Sequence, residues 1–268
     1  MNTTPLSPLN QLTALTLRSL LGQASDSIRL GFQRGFDSGE MMDRIYQNQP
    51  SGRFGFGWLA DVIYLNQIGC QGLRGRKVLL KATLRRLIEA QRRQGLRPFI
   101  VDVASGPATY LVETLAEEAG DDVQALGRDL DPHGLRRGEE LARAHGVRNV
   151  RFQPANALDE ASLCALQPRP TIMIASGFYE ILLDDDLIRR SMQIIRRVLP
   201  PEGAFIFTTQ VNHPQLELIK ALPNRNGEPW EMKNRTVPQV EAWAREAGFR
   251  RVTTTLEPHS LFSVSVAQ

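Results

Sequence analysis

The sequence has few of the features typical of secreted, membrane or zinc-binding proteins. Its 268 residues include two cysteines, Cys70 and Cys164, in no CxxC or Cys/His spacing. Neither a disulfide framework nor a metal site is therefore predicted. The most apolar early segment, LTALTLRSLL, is short and interrupted by Arg18, so we expect no membrane span and no signal peptide. A reducing, cytoplasmic location fits these absences best.

A strong excess of one charge is also missing. The chain has 32 Lys and Arg against 29 Asp and Glu, a net charge of +3, which does not require a nucleic-acid partner. The composition, 42% apolar and 23% charged, is that of an ordinary globular protein. We expect a small-molecule substrate and neither nucleic acid nor membrane as partner, and a homodimer is compatible with the sequence.

The first part of the chain, from about residue 10 to 96, has apolar residues at helical spacing and no strand pattern. Its last helix, about residues 76–94, has a basic face, which we expect to be solvated and not bound to RNA. We predict a helical extension over residues 1–96 that acts as a lid. Its aromatic residues either cover a ligand or form its own core, and they are Tyr46, Phe54, Phe56, Trp58 and Tyr64.

From residue 97 the pattern alternates between strands and helices, which indicates a parallel sheet covered on both faces. An amphipathic helix then precedes two alternating segments, FRRVTTTLEP and SLFSVSVAQ, which predict a hairpin. We therefore predict an α/β fold with a seven-stranded, mostly parallel sheet and a C-terminal antiparallel hairpin, after an all-helical N-terminal region. The parallel strands are PFIVDVA, VQALGRD, VRFQPA, TIMIAS and AFIFTTQ.

The stretch FIVDVASGPATYLVETL joins a buried strand to a helix through a turn of small residues. No lysine follows Gly106, which excludes a P-loop, and only the middle glycine of a dinucleotide fingerprint is present. Pro107 removes a backbone N–H and Asp102 adds a carboxylate, so phosphate is disfavoured. The turn favours a cationic ligand that has a ribose and no phosphate, which describes S-adenosylmethionine (SAM).

The segment from Asp102 to Ala108, DVASGPA, resembles the acidic, glycine-rich loop of the class I SAM-dependent methyltransferases. Alanine stands at 104 and 108, where that family usually has glycine. The resemblance implies a Rossmann-like, SAM-binding catalytic domain over residues 97–268. It also implies that Asp129 holds the ribose hydroxyls and that Asn156 contacts the adenine amino group. The alternative for these two residues is that they only cap turns.

The predicted site has two groups of residues. Ligands of such sheets lie beyond the carboxyl ends of the strands, where Tyr179 either positions an amine or is a core aromatic. His213 is either a general base or a loop residue. The predicted catalytic residues are Tyr179, Asn212, His213 and Tyr46. The predicted SAM-binding residues are Asp102, Ala104, Ser105, Gly106, Asp129, Leu130, Asn156, Ala157, Ser176, Gly177 and Phe178.

Three further expectations concern single residues. Asp131 is predicted to cap the helix that opens at Pro132. Glu180 is expected to face the following helix or solvent. In the insertion of residues 222–234, Arg225 and Trp230 either clamp and cover a ligand or belong to an exposed turn, and the turn is favoured.

Three functions follow from these features. The leading one is a SAM-dependent methyltransferase that acts on a small molecule by in-line displacement at the methyl carbon. The long helical extension is also similar to that of the azetidine-2-carboxylate synthases, cyclases in which the amine of SAM attacks its own γ-carbon and expels methylthioadenosine. The third is a SAM-binding regulator without activity. No Asn-Pro-Pro-Tyr signature is present, which argues against methylation of nucleic-acid bases.

Overall fold

The computed structural model describes residues 7–118, 120 and 122–268. These form two compact units. The helical unit contains the residues up to Arg74 and His213–Met232, and the sheet unit contains Gly75–Asn212 and Lys233–Gln268. The predicted boundary at residue 96 differs from this division, because most of the long basic helix belongs to the sheet unit. The lid role of residues 1–96 stays a prediction.

Capping residues determine where several helices begin. Ser25 and Ser38 accept hydrogen bonds from the backbone N–H groups of Ile28 and Met41, at 3.1 and 3.2 Å. Along the chain the helices are α1 (Pro8–Arg18), α2 (Leu20–Ala24), α3 (Asp26–Arg34), α4 (Gly39–Gln47), α5 (Phe56–Leu65), α6 (Ile68–Arg93), α7 (Thr109–Glu117), α8 (Pro132–Ala144), α9 (Glu160–Cys164), α10 (Asp185–Val198), α11 (Leu216–Lys220) and α12 (Val237–Glu246).

The sheet unit contains one seven-stranded sheet, which confirms the predicted fold class. The strand order is β3-β2-β1-β4-β5-β7-β6. Neighbours among the first five strands are parallel, whereas β7 is antiparallel to both β5 and β6. The strands are β1 (Phe99–Asp102), β2 (Gln124–Asp129), β3 (Val150–Pro154), β4 (Ile172–Ala175), β5 (Ala204–Gln210), β6 (Val252–Leu256) and β7 (Phe262–Ala267).

Helices cover both faces of this sheet, so its central strands are apolar throughout. Alternate side chains point to opposite faces. Ile100 and Ile206 pack with Leu84 of α6 on one face, the α6 side. Val101 and Phe205 pack on the other face, the α10 side, against residues of α10 and α12.

Part of the basic face of α6 is paired with carboxylates of α7 and of the segment after it, whereas Arg86 and Arg93 of this face are exposed, as expected. The Lys77 ammonium lies 2.5 Å from the Glu113 carboxylate, and Lys81 bridges Glu113 and Glu117 at 3.0 and 2.7 Å. Farther along, Arg92 contacts Glu118 and Asp122. These cations are neutralised within the unit, which weakens the case for RNA on this face.

Candidate functional site

The turn after β1 has two residues in the left-handed conformation. Gly106 has φ +50° and Ala108, just before α7, has φ +52°. Glycine adopts such angles without a steric cost, whereas alanine pays about 1 kcal/mol. Ala108 therefore occupies a conformation that explains why glycine is usual at this position of the loop it resembles.

Asp102 ends β1 and is fully buried. Its Oδ2 accepts a hydrogen bond from the Tyr110 hydroxyl at 2.5 Å, and its Oδ1 accepts one from the Ala104 N–H at 3.3 Å. Burial raises the pKa of Asp102 to about 7, although the tyrosine hydroxyl opposes this, and Asp129 adds a further upward shift. The carboxyl group is therefore poised to ionise when a cation binds.

Asp129 connects the end of β2 to the turn after β1. Its Oδ2 accepts from the Gly106 N–H at 2.7 Å and its Oδ1 accepts from the Asp131 N–H at 2.9 Å. The Ser105 N–H also donates to the Arg128 carbonyl at 2.9 Å. A carboxylate has about four lone-pair sites, so acceptor capacity remains for a pair of hydroxyls.

The neighbours of Asp129 have distinct placements. Leu130 is 70% exposed. Asp131 accepts from the His133 N–H at 2.9 Å and caps α8, as predicted. The structure thus separates the aspartate at the turn from the aspartate that caps the helix.

Asn156 and Ala157 follow β3. The Asn156 Oδ1 accepts from the Leu158 N–H at 2.9 Å, and Asn156 is itself exposed. Ala157 is buried in the same apolar cluster as Val103, the residue after β1. Asn156 therefore caps a turn, as the alternative interpretation has it, while one of its lone pairs remains for a ligand.

The segment after β4 bends at Gly177, whose φ is +74° and whose N–H donates to the Thr208 hydroxyl at 2.9 Å. Ser176 and Phe178 on either side are half-buried. These residues lie at the carboxyl end of the sheet, next to the end of β5.

Tyr179 is a core residue. It is fully buried, packs edge-on against Phe205, and its hydroxyl donates to the Ser191 hydroxyl at 3.0 Å. Burial raises its pKa above the ordinary value. The structure thus favours the core interpretation, and we do not retain Tyr179 as a catalytic candidate.

The other predicted catalytic residues differ in burial and in the unit to which they belong. Asn212 is exposed and ends a segment of the sheet unit, whereas His213 begins a segment of the helical unit. Burial lowers the pKa of His213 to about 4, and its Nδ1 accepts from the Gln215 N–H at 3.2 Å. At neutral pH the remaining nitrogen, Nε2, therefore carries the proton and is no base. Tyr46 is half-buried on α4.

The remaining aromatic and insertion residues also have clear positions. Phe54 is 80% exposed, and Phe56 and Trp58 are exposed as well, so they do not form the core of the helical unit. Arg225 donates to the Asp37 carboxylate at 3.0 Å. It belongs to an exposed turn, as favoured from the sequence, and is held by that ion pair.

Residues 5–268 match the model of a protein family described as "Putative methyltransferase". The chain belongs to this family. It is also 35% identical to the protein YnbC of Escherichia coli strain K12 over 269 residues, covering 98% of this chain and 46% of YnbC. The chain thus spans about half the length of that relative.

Solved structures share the fold of this methyltransferase family member. A possible exported protein from Bordetella parapertussis aligns over 99% of this chain and 89% of its own with a TM-score of 0.73 and 20% identity. The CurJ carbon methyltransferase aligns over 99% of this chain and 72% of its own, with a TM-score of 0.60 and 13% identity. Human N-acetylserotonin methyltransferase, in complex with SAM, aligns over 99% of this chain and 72% of its own, with a TM-score of 0.52 and 14% identity. The Rossmann-like fold and the resemblance to SAM-dependent methyltransferases are confirmed.

The family description names methyl transfer and does not mention cyclisation, so the cyclase interpretation receives no support from it. Within residues 7–118, 120 and 122–268, no helix has the length and apolarity needed to cross a bilayer. The cytoplasmic location stays a prediction.

Sequence reasoning missed three side chains that hold this edge of the sheet. Tyr110 bonds Asp102, as described above. Glu180, expected near helix or solvent, is buried and lies 3.0 Å from the Arg76 guanidinium. The buried Arg235 donates to the carbonyls of Tyr179 and Leu182 at 2.6 and 2.5 Å and thereby holds the segment after β4. An apolar segment interrupted by one charged residue was the available signal for Glu180.

Proposed function

We propose that the chain is a SAM-dependent methyltransferase that acts on a small molecule. The observation that carries the proposal is the bond between the Gly106 N–H and the Asp129 carboxylate, 2.7 Å long, at a turn that also holds buried Asp102. Two carboxylates at one turn are unfavourable for a phosphate and favourable for a sulfonium and an ammonium group.

Each end of SAM has candidate partners here. Asp129 would accept from the ribose hydroxyls, and exposed Leu130 offers an apolar surface to the adenine ring. Asn156 and the backbone of Ala157 would contact the adenine amino group. Asp102, with its pKa near 7, would ionise opposite the positive charges of SAM. Ser105, Gly106, Ala104 and the segment Ser176–Phe178 would line the remainder.

The chemistry that this site would support needs no strong acid or base. A nucleophile of the second substrate attacks the methyl carbon, and the electron pair of the breaking carbon–sulfur bond stays on sulfur. The sulfonium is already a good leaving group, so the protein has to align the reactants and exclude water.

A small molecule is the favoured substrate class because Lys77, Lys81 and Arg92 of α6 are paired with carboxylates of α7 and of the segment after it. Cations that are paired in this way contribute less to the binding of a polyanion. The helical unit would act as the lid, and its exposed Phe54, Phe56 and Trp58 are the side chains it would use. A homodimer remains compatible with the proposal.

Calorimetry with SAM and S-adenosylhomocysteine tests the binding step, and product analysis after incubation with SAM tests the reaction. Binding of both, with S-adenosylhomocysteine formed only when an acceptor is added, supports the methyltransferase. Methylthioadenosine formed without an acceptor would indicate the cyclase instead. Binding with unchanged SAM under all acceptors would favour the regulator, and no binding at all would overturn the proposal.

A further inference from the structure

A second buried polar cluster lies at the carboxyl ends of β4 and β5. Thr208 and Gln210 are near the end of β5, two residues apart, so their side chains point to the same face. That face is the α6 side, because Ile206 packs there. Glu180, which follows β4, reaches this face and contacts Thr208.

The carboxylate of Glu180 is held through one of its two oxygens. Oε1 accepts from the Thr208 hydroxyl at 2.8 Å and from the Arg76 Nη1 at 3.0 Å. The Arg76 guanidinium also lies 5.0 Å from the centre of the Phe262 ring. These contacts fix the carboxylate in position and balance its charge.

Two oxygens of this cluster have no hydrogen-bond donor within the described residues. They are Oε2 of Glu180 and Oε1 of Gln210, in side chains that are 2% and 0% exposed. The Gln210 Nε2 donates to the Asn234 Oδ1 at 3.0 Å, which orients the amide and leaves its oxygen on the other side. Buried acceptors without donors are destabilising and uncommon in folded proteins, and each calls for a ligand or a water as partner.

We propose that Glu180 Oε2 and Gln210 Oε1 bind the methyl acceptor through a hydrogen-bond-donating group, the O–H of an alcohol or phenol or the N–H of an amine. The inference rests on the proposed methyltransferase function. Both oxygens are acceptors only, so their partner has to be a donor. They lie at the carboxyl ends of the strands, the edge of such a sheet at which ligands bind.

Charge separates this cluster from the SAM site. Arg76 neutralises Glu180, so a neutral donor suffices there. Asp102 is bonded by a tyrosine hydroxyl and a backbone N–H, and its negative charge is left for the cationic groups of SAM. The two carboxylates therefore select different ligands. Acceptors that offer carbon as the nucleophile, with no O–H or N–H nearby, are excluded by this assignment.

The test uses protein saturated with S-adenosylhomocysteine and fragments in matched pairs that differ by methylation of the donor. The pairs are phenol and anisole, benzyl alcohol and benzyl methyl ether, and aniline and N,N-dimethylaniline. Titration by ligand-observed NMR is expected to show that the donor-bearing member of at least one pair binds about tenfold more tightly.

Gln210→Met is the primary variant, because it removes the amide oxygen and leaves the Arg76–Glu180 ion pair intact. It should abolish the preference for the donor-bearing fragment, and Glu180→Gln should reduce it. Thr209→Val is the matched control: Thr209 points to the opposite face, where its hydroxyl bonds Ser263 at 2.7 Å, and the preference should persist.

The possible failures are distinguishable. If S-adenosylhomocysteine does not bind the wild-type protein, the proposed function fails and this inference with it. If it binds, and the members of every pair bind equally or not at all, this inference alone is overturned. A preference that survives in Gln210→Met would also overturn it.

Discussion

The helical unit and the sheet unit each contain a fully buried aspartate, and the two are satisfied in different ways. Asp61, in α5 of the helical unit, is surrounded by donors. Its Oδ1 accepts from the Ser25 hydroxyl at 2.5 Å and the Ser27 N–H at 2.7 Å, and its Oδ2 accepts from the Ser51 N–H at 2.9 Å and Arg44 at 3.0 Å. This carboxylate is complete without a ligand.

Asp102 of the sheet unit has a tyrosine hydroxyl and one long backbone bond, and it has no ion pair in the part of the chain that the structure describes. The two aspartates are thus equally buried, but the Asp102 carboxyl has fewer hydrogen-bond donors than that of Asp61. A buried carboxylate whose oxygens all accept hydrogen bonds stabilises the fold, whereas a buried carboxylate with few donors is suited to binding a charged ligand. The contrast assigns a structural role to Asp61 and supports a binding role for Asp102.

The largest expected effect is on stability, in Asp61→Ala. The change leaves two backbone N–H groups and Arg44 without their acceptor, so the free energy of unfolding should fall by about 3 kcal/mol or more. Urea denaturation measures it. Glu40→Ala, which removes an exposed ion pair with Arg34, is the control and should cost less than about 1 kcal/mol. Equal losses in the two variants would remove the distinction drawn for Asp61.

The next effect is on binding, in Asp129→Ala. Loss of charged hydrogen bonds to ribose should weaken SAM binding by about 1 to 3 kcal/mol in calorimetry. Asp131→Ala removes a helix cap two residues away and should cost about 1 kcal/mol of stability with little change in affinity. Unchanged affinity in Asp129→Ala would assign this residue to turn capping, like Asp131.

The fold could be predicted because its signals are local. Strands such as FIVDVA and AFIFTTQ are short apolar runs, and apolar and polar residues alternate in the hairpin. The hydrophobic period and the length of each segment were therefore enough to predict the strands. The division between the two units could not be predicted. Residues His213–Met232 belong to the helical unit, although the residues on both sides of them belong to the sheet unit. The local sequence pattern of residues 213–232 does not indicate to which of the two units they belong.

Residues of the candidate site could be named from the sequence only where they follow one another along the turn or at a strand end, and their roles in binding stay a prediction. Asp102 and Asp129 are of this kind. Arg76 and Glu180 are 104 positions apart, and their pairing depends on how α6 crosses the sheet, which periodicity does not specify. The role of Tyr179 could not be decided from the sequence, because an aromatic residue after a strand has the same local pattern whether it lies in a core or at a site.

A pH dependence would sharpen the contrast between the two aspartates. Burial raises the pKa of Asp102 from 3.8 to about 7, against the Tyr110 hydrogen bond and with a contribution from Asp129. A cation favours the ionised form, so SAM affinity should rise with pH up to about 7 and be about tenfold weaker at pH 6 than at pH 8. Calorimetry across this range should show a flat profile for Asp102→Asn. The same slope in both proteins would mean that another group titrates.

The same proton has a consequence for stability. The folded protein retains it up to about pH 7, whereas the unfolded chain releases it near pH 4. The stabilisation from protonated Asp102 is therefore complete below about pH 4 and is lost as the pH rises to about 7. The difference in unfolding free energy between wild type and Asp102→Asn should follow this curve in urea titrations, and a constant difference would contradict the assignment.

The smallest expected effect compares backbone strain in the two units. Ala108, beside the turn, and Asn48, which ends α4, have φ of +52° and +49°. Asparagine tolerates this conformation and alanine does not, so Asn48→Gly should leave stability nearly unchanged. In Ala108→Gly, removing the backbone strain of alanine should stabilise the fold by about 1 kcal/mol. Two effects oppose this gain: the unfolded chain becomes more flexible, at a cost of about 0.4 to 1 kcal/mol, and a buried methyl group is lost. Thermal unfolding should therefore place both variants within about 1 kcal/mol of the wild type. A larger loss in Ala108→Gly would mean that the methyl group packs the turn, and that alanine stands there for contact rather than being a tolerated substitute for glycine.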